Sequence, residues 1–333
     1  MIAQLGRRAL WALFIIWAVV SLTFVINNLL PSDPARMVAG PQARPQDVQK
    51  IREQLGLNRP LIVQYGAFMR RIVHFCPARR TAEDPAHANC GTIGPLHVDL
   101  GRSYQKHRPV ISILGERLPR TVMLAIAAVF IQVLLGVSAG VLAAVRRHTL
   151  ADHGAVALSL VGISAPTFII GLALQFVLGH KLRLLPVDGY GTTPTEHLVS
   201  VVLPALTLGV FGAAYYTRLT RDEMIILLKQ DYVRTARAKG LSEASVIVRH
   251  ALRNALVPLV TIVGLDLGAL VGGAIVTETV FRWPGLGALS VTALLDRDGP
   301  LIVGAVLVTS TAIVVSNVLV DVCYAALDPR VRG

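Results

Sequence analysis

The chain has 333 residues, 53% of them hydrophobic and only 16% charged, whereas soluble domains carry about 25% charged residues. The charges fall in blocks between long uncharged runs, which excludes an evenly wetted globular surface. A net charge of +12 suits either nucleic acid or anionic lipid head groups, but aromatics are only 6% and no basic stacking motif stands apart from the apolar runs, so the expected partner is membrane lipid and not nucleic acid.

In chain order, Arg7 and Arg8 precede Ala9–Leu30, an apolar run of 22 residues. It is longer than a signal-peptide core and no Ala-x-Ala site follows, so an uncleaved membrane anchor is predicted. From Pro31 to Leu118 the chain is polar and holds thirteen Lys or Arg. Within this region Val48, Ile51 and Leu55 recur at helical spacing and Gly56 follows as a stop. The pattern predicts a short helix over Asp47–Leu55 in a small folded extramembrane element.

Further apolar runs cover Thr121–Val145, Gly154–Gly179, Leu198–Thr217, Ala255–Thr277 and Leu301–Val320. With the first they make six predicted spans, each near the roughly 20 helical residues that cross the hydrocarbon layer. The runs are continuous and not alternating, which selects helices over a barrel. The predicted class is an all-α integral membrane protein: residues 1–30 carry the first span, 31–118 an extracytoplasmic insertion, and 119–333 a core with the other five. Asp266 is the one Asp, Glu, Lys or Arg within the six runs.

Lys and Arg in the short loops set the orientation. With the N-terminus inside, the cytoplasmic segments hold fourteen and the short outer loops four, Lys181, Arg183, Arg282 and Arg297. Both termini are therefore expected in the cytoplasm. The long basic segment 31–118 then lies outside, since loops beyond about 60 residues translocate largely regardless of charge. Cys76 and Cys90 lie in that outer segment, an oxidising location, and are expected to form a disulfide. Cys323, just after the last run, reads as a small buried residue.

No Gly-Lys dipeptide occurs, so there is no P-loop, and no His-Glu-x-x-His occurs. Neither a catalytic cluster nor a metal-ligand spacing is visible, and the chain is not expected to be an enzyme. Gly136-Val137-Ser138-Ala139-Gly140 matches G-x-S-x-G, but it lies inside an uncharged run and not at a strand–turn–helix. Gly136 with Gly140, Gly209 with Ala213 and Gly268 with Gly272 instead have the four-residue spacing that lets helices approach closely. Asp266, near the middle of its run, is expected to face a pore or a partner helix. Glu278 and Asp321, at span ends, are expected where water reaches.

The cytoplasmic loop 218–254 is too polar to span and too long for a simple connector. Asp231 to Lys239 favours helix, Gly240 permits a bend, and Ser242 can cap a second helix. Two short helices joined at the glycine would lie along the membrane, either as a knob for a partner's groove or resting on lipid.

This loop, Tyr232-Val233-Arg234-Thr235-Ala236-Arg237-Ala238-Lys239-Gly240-Leu241 followed by His250-Ala251-Leu252-Arg253-Asn254, resembles the cytoplasmic coupling motif of ABC importer permeases, in the form of the peptide-permease branch. The resemblance continues through Leu55-Gly56-Leu57-Asn58-Arg59-Pro60-Leu61 with Gln64-Tyr65, Asp99-Leu100-Gly101-Arg102-Ser103 with Pro109-Val110, and Arg117-Leu118-Pro119-Arg120-Thr121. It includes Leu203-Pro204-Ala205-Leu206, Glu278 to Gly287, and Leu327-Asp328-Pro329-Arg330-Val331-Arg332. The stretch from about His74 to His97 is longer than the usual outer loop. The chain is similar to the first permease subunit of dipeptide or oligopeptide ABC importers of the bacterial inner membrane; related permeases carry nickel, glutathione or other small solutes.

The resemblance implies six helices of the type I importer permease fold and half of a translocation pore. It implies a second homologous permease, two ABC ATPase subunits that hold ATP and Mg, and an extracytoplasmic solute-binding protein. No cofactor or metal is expected on this chain itself. Arg234, Thr235, Ala236, Arg237, Ala238, Lys239, Gly240 and Leu241 would dock on an ATPase, and Asp266 would lie on the substrate pathway.

Overall fold

A computed structural model describes residues 2–29, 33–40, 42–75, 90–93 and 96–327. The chain divides into two units, one formed by Ile2–Pro119 with Leu289–Thr311 and the other chiefly by Arg120–Ala288 with Ala312–Gly333.

The first unit opens with α1 (Ile2–Leu29), whose leucines, tryptophans and phenylalanines are largely exposed, as suits a helix surrounded by lipid. Short helices follow: α2 (Pro34–Ala39), capped by the Asp33 side chain, then α3 (Pro45–Gln54) and α4 (Leu61–Ile72). The helix predicted over Asp47–Leu55 is α3. It ends as expected at Gly56, whose φ of +68° suits glycine, and the Leu57 amide returns to the Arg52 carbonyl. Gln64 donates to the carbonyls of Leu57 at 3.2 Å and Arg59 at 2.7 Å, fixing the turn into α4. The Tyr65 hydroxyl shares a 2.7 Å hydrogen bond with Ser21, while Val20, Ile72 and Val303 form a buried cluster.

Three short strands, β1 (Val73–Phe75), β2 (Cys90–Ile93) and β3 (Leu96–Asp99), make an antiparallel sheet in the order β1-β3-β2. Val73 stands opposite Val98, and Cys90 opposite Asp99. The sheet lies within the outer segment 31–118 and is an element that a reading for spans alone does not contain. Beyond β3 the Asp99 carboxylate accepts from the Gly101 amide at 2.7 Å, and the Val110 amide returns to the Gly101 carbonyl. Buried Asp298 gathers the Ser103 hydroxyl and the amides of Tyr104, Gln105 and Leu301. Burial pushes the Tyr104 phenol above its ordinary pKa.

The remaining helices are α5 (Val110–Val145), α6 (Leu150–Ser164), α7 (Thr167–Leu174) with a π-helical turn Gln175–Lys181, α8 (Pro194–Ser200) and α9 (Val202–Leu227). After them come α10 (Asp231–Ala238), α11 (Glu243–Ser245) with a π-helical turn Val246–Leu252, α12 (Arg253–Val271), α13 (Ile275–Val280), α14 (Leu286–Leu295) and α15 (Gly299–Leu327). Among the described residues five stretches are long and apolar enough to cross a membrane: Leu10–Asn28, Val110–Val145, Pro194–Leu227, Glu243–Val271 and Gly299–Val320. A sixth exists if the bent pair α6 and α7 is one span.

Two predicted spans differ from the structure. Gly154–Gly179 is not one straight helix, because α6 and α7 meet at 105°. Ala165 precedes Pro166 and is driven out of the helical region, to ψ 127°, and Pro166 follows at ψ 136°. Nothing in the hydropathy of the run records that break. The predicted Ala255–Thr277 is shifted toward the N-terminus: helical structure begins at Glu243 and stops at Val271. Gly273 (φ +117°) ends it, and a Cβ there would meet the Gly287 Cα at 2.8 Å.

The small-residue pairs sit at close helix contacts. A Cβ on Gly140 would lie 2.6 Å from the Thr220 Cβ and 2.7 Å from the Thr217 carbonyl, and Gly136 abuts Tyr216. The G-x-S-x-G match is thus an interior stretch of α5 seated on α9. Gly268 likewise faces Ser316. Further along, Leu124, Ala128, Val201, Ala205, Leu208 and Trp283 form a buried apolar cluster.

Gly140→Val is expected to overpack this contact and cost about 1–3 kcal/mol. The check is the thermal unfolding midpoint of the detergent-solubilised protein, with Gly154→Ala, which has open space around it, as the silent control.

Candidate functional site

Alternating exposure builds the segment 231–241. In α10, Val233 and Ala236 are buried against Val246, one helical turn apart, so the other side of the helix points outward. Arg234, Thr235, Arg237, Ala238, Lys239, Gly240 and Leu241 are all exposed, and Ala236 is the buried member of the eight. Gly240 has φ +76°, its amide donates to the Arg237 carbonyl at 2.9 Å, and an added Cβ there would find nothing within 4 Å. Ser242 then caps α11, its hydroxyl accepting from the Ser245 amide. The bend expected at the glycine is present.

The second arm of the bend is not a separate helix lying along the membrane. From Glu243 it runs through the π-helical turn directly into α12. No glycine or proline lies between Glu243 and Pro258, so nothing in the sequence interrupts the ladder there. Three contacts fasten α10 to this helix. Arg237 forms a two-pronged pair with Glu243, Nε at 2.8 Å and Nη2 at 3.2 Å. Asn254 Nδ2 donates to the Tyr232 hydroxyl at 3.0 Å, and the Val233–Ala236–Val246 cluster lies between. Arg234 is paired with Asp231 at 3.6 Å, an exposed i,i+3 contact. The sequence offers Tyr232 and Asn254 only as members of the motif and Glu243 only as part of the second helix's start, and it does not disclose their contacts with α10 and α12.

Asp266 lies on α12, half-buried, and accepts a 3.0 Å hydrogen bond from the Tyr216 hydroxyl of α9. Tyr216 is itself fully buried. The carboxylate is therefore anchored between two helices, as an intramembrane charge requires.

Glu278 is corrected. The expectation placed it where water reaches, but its side chain is completely buried. It accepts from the Thr121 hydroxyl at 3.1 Å and the Ala288 amide at 2.8 Å, while Thr121 accepts from the Leu286 amide at 2.7 Å. Gly285 leaves no room for a Cβ beside this carboxylate. Trp283 Nε1 donates to the Arg120 carbonyl at 3.2 Å, and the Arg120 guanidinium lies 4.7 Å from the centre of the Tyr190 ring. Arg120-Thr121 and Glu278–Gly287, two separate sequence motifs, thus form one buried structure.

Cys76 lies outside the described residues, as do residues 328–333 of the last motif; Cys90 is described as backbone of β2 only. The side chains of Asp321 and Cys323 also lie outside the described set. Among the described residues no group of three or more His, Cys, Asp or Glu is arranged to hold a metal ion.

Comparison with known proteins places this geometry. Residues 136–333 match the family of binding-protein-dependent transport system inner membrane components, and residues 1–125 match the N-terminal family of the same membrane components. A relative from Brucella abortus (strain 2308), named as a peptide transport system permease protein, is 39% identical over 335 residues, covering 100% of this chain and 99% of that protein. The glutathione transport system permease protein GsiC of Salmonella paratyphi A is 39% identical over 326 residues, covering 98% of this chain and 97% of that protein. A solved inward-facing structure of the MetNI methionine ABC transporter shares the fold at a TM-score of 0.54 and 17% identity, covering 66% of this chain and 98% of that one. The chain belongs to the binding-protein-dependent transport system inner membrane component family and is a permease of an ABC importer.

Proposed function

We propose that this permease forms half of the translocation pathway for dipeptides or oligopeptides. It pairs with a second homologous permease, is driven by two ABC ATPase subunits that bind ATP and Mg, and receives substrate from an extracytoplasmic binding protein. Both termini face the cytoplasm, and residues 31–118 face outward. The observation that carries this reading is the exposed bend at Gly240 on a helix continuous with a membrane span. A partner gripping the bend moves the span, and ATP shifts the pore only through contacts that differ between its two states. The relatives named for peptide and for glutathione transport are equally similar, and glutathione is itself a tripeptide, so a glutathione-like substrate is the second reading.

The docking surface is Arg234 to Leu241, with Ala236 as its buried anchor. An added side chain at Gly240 meets no atom within 4 Å, but φ +76° strains any residue other than glycine, so assembly of the complex is measured beside coupling. The assembled complex is expected to form, with uptake per ATP reduced about tenfold, the equivalent of about 1.4 kcal/mol of lost differential contact. Reconstituted transport measured beside ATP hydrolysis decides it; native uptake removes the docking assignment.

Asp266 attracts the amino terminus of the peptide in transit. Asp266→Asn keeps an acceptor for Tyr216 while removing the charge. Uptake of peptides with a free amino terminus is expected to drop about tenfold, while an N-acetylated peptide is unaffected. Equal uptake of both by the variant would leave Asp266 with a structural role.

Cys76 and Cys90 form a disulfide that holds the added outer segment, contributing about 3 kcal/mol in the chain-entropy model. Mass analysis of alkylated, non-reduced protein from oxidised membranes is expected to show neither thiol labelled; two labelled thiols would exclude the bond.

A further inference from the structure

The connection between α5 and α6 consists of Arg146, Arg147, His148 and Thr149. Asp152, in the first turn of α6, is buried there with 4% of its side chain exposed. The Arg221 guanidinium on α9 grips it with two prongs, Nε to Oδ1 at 2.5 Å and Nη2 to Oδ2 at 3.1 Å. The His148 amide donates to the same carboxylate at 2.9 Å, so the loop entering α6 is tied to the pair. One residue earlier on α9, Thr220 meets Gly140 of α5 at a distance that admits no side chain. A single turn of α9 therefore holds α5, the connecting loop and α6. Three residues beyond its end, α9 passes into α10.

We propose that Arg221 and Asp152 are positioning residues for coupling: a strut, closed throughout the cycle, that carries displacement of the segment 231–241 into α6 and the bent pair that α6 begins. Two features favour a strut over a contact that opens. A buried charge is strongly destabilised when its partner leaves, so parting the two is costly. The guanidinium fork fixes both the rotation and the height of α9 against α6, which apolar packing leaves free to slide. Arg221 also reaches Asp222 at 3.1 Å, which holds the fork in place from its solvent side.

This inference rests on the coupling role of the bend, and the test separates the two. The complete importer, with its second permease, ATPase subunits and binding protein, is reconstituted in liposomes, and uptake is measured per ATP hydrolysed. Gly240→Asp is one arm; if it couples normally, the docking reading itself falls. Arg221→Lys keeps a charge at the pair and removes the fork, and Asp152→Asn removes the charge and keeps the shape. Both are expected to yield assembled complexes that hydrolyse ATP, with uptake per ATP reduced at least about fivefold, the lower end of ordinary coupling energies. Exchange of the charges, Asp152→Arg with Arg221→Asp, is expected to recover part of the loss. Normal coupling in Arg221→Lys and Asp152→Asn while Gly240→Asp is uncoupled would overturn the strut alone. Failure of all the Asp152 and Arg221 variants to assemble would reduce the pair to a folding contact and overturn it equally.

Discussion

A backbone in hydrocarbon has no water to satisfy its amides and carbonyls, so it must keep its own helical ladder or find side chains that substitute for it. That constraint makes the stretch from Glu243 to Val271 one helical run, the lever of the proposed coupling. At about 1.5 Å per residue, Asp266 stands roughly 35 Å along the helix from Glu243. The bend at Gly240 lies at one end of that helix, and the hydrogen bond from Tyr216 lies well within it. Between Glu243 and Asp266 the helix runs on through the π-helical turn Val246–Leu252 and through Pro258, the two places on the way where the regular ladder is altered.

Elsewhere polar side chains satisfy backbone groups that the ladders leave over. At the α6–α7 corner the Ala165 amide still reaches the Val161 carbonyl, and the proline has no amide to lose. Beyond it, Gln175 is buried and donates to the carbonyls of Val187 and Val280 at 2.9 and 3.3 Å. After α12 stops at Gly272–Gly273, Glu278 and Thr121 collect the amides of Ala288 and Leu286. These buried polar residues thus serve backbone groups at the end of α13 and the start of α14 that no helical ladder satisfies.

These facts also explain what could be read in advance. Uncharged runs of span length disclose the membrane helices, since water and hydrocarbon sort residues by composition alone. Gly240 and Ser242 disclose the bend, because a left-handed residue and a helix cap are local requirements. The corner at Pro166 was open to the same local reasoning, but the uncharged run around it masked the signal. Glu278 and Asp152 were beyond that reasoning altogether. Their partners Thr121 and Arg221 lie 157 and 69 residues away in sequence, so nothing local distinguishes a buried carboxylate from one at a wet span end.

The two arginine forks near the segment 231–241 differ in surroundings, and the proposed coupling role gives them different work. Arg237 and Glu243 are 42% and 63% exposed, whereas Arg221 and Asp152 are 21% and 4% exposed. An exposed pair contributes about 0–1 kcal/mol, so a partner's carboxylate can take over Arg237 at little cost. The inner pair resists exchange because Asp152, left without its partner, has little access to water. On the proposed coupling role, the outer fork lies where recognition needs contacts that can be re-made, and the inner fork where transmission needs contacts that persist. A bend that was rigid and fully self-satisfied would offer a partner nothing to hold, and an anchor as labile as the bend would let the motion dissipate before it reached the membrane helices.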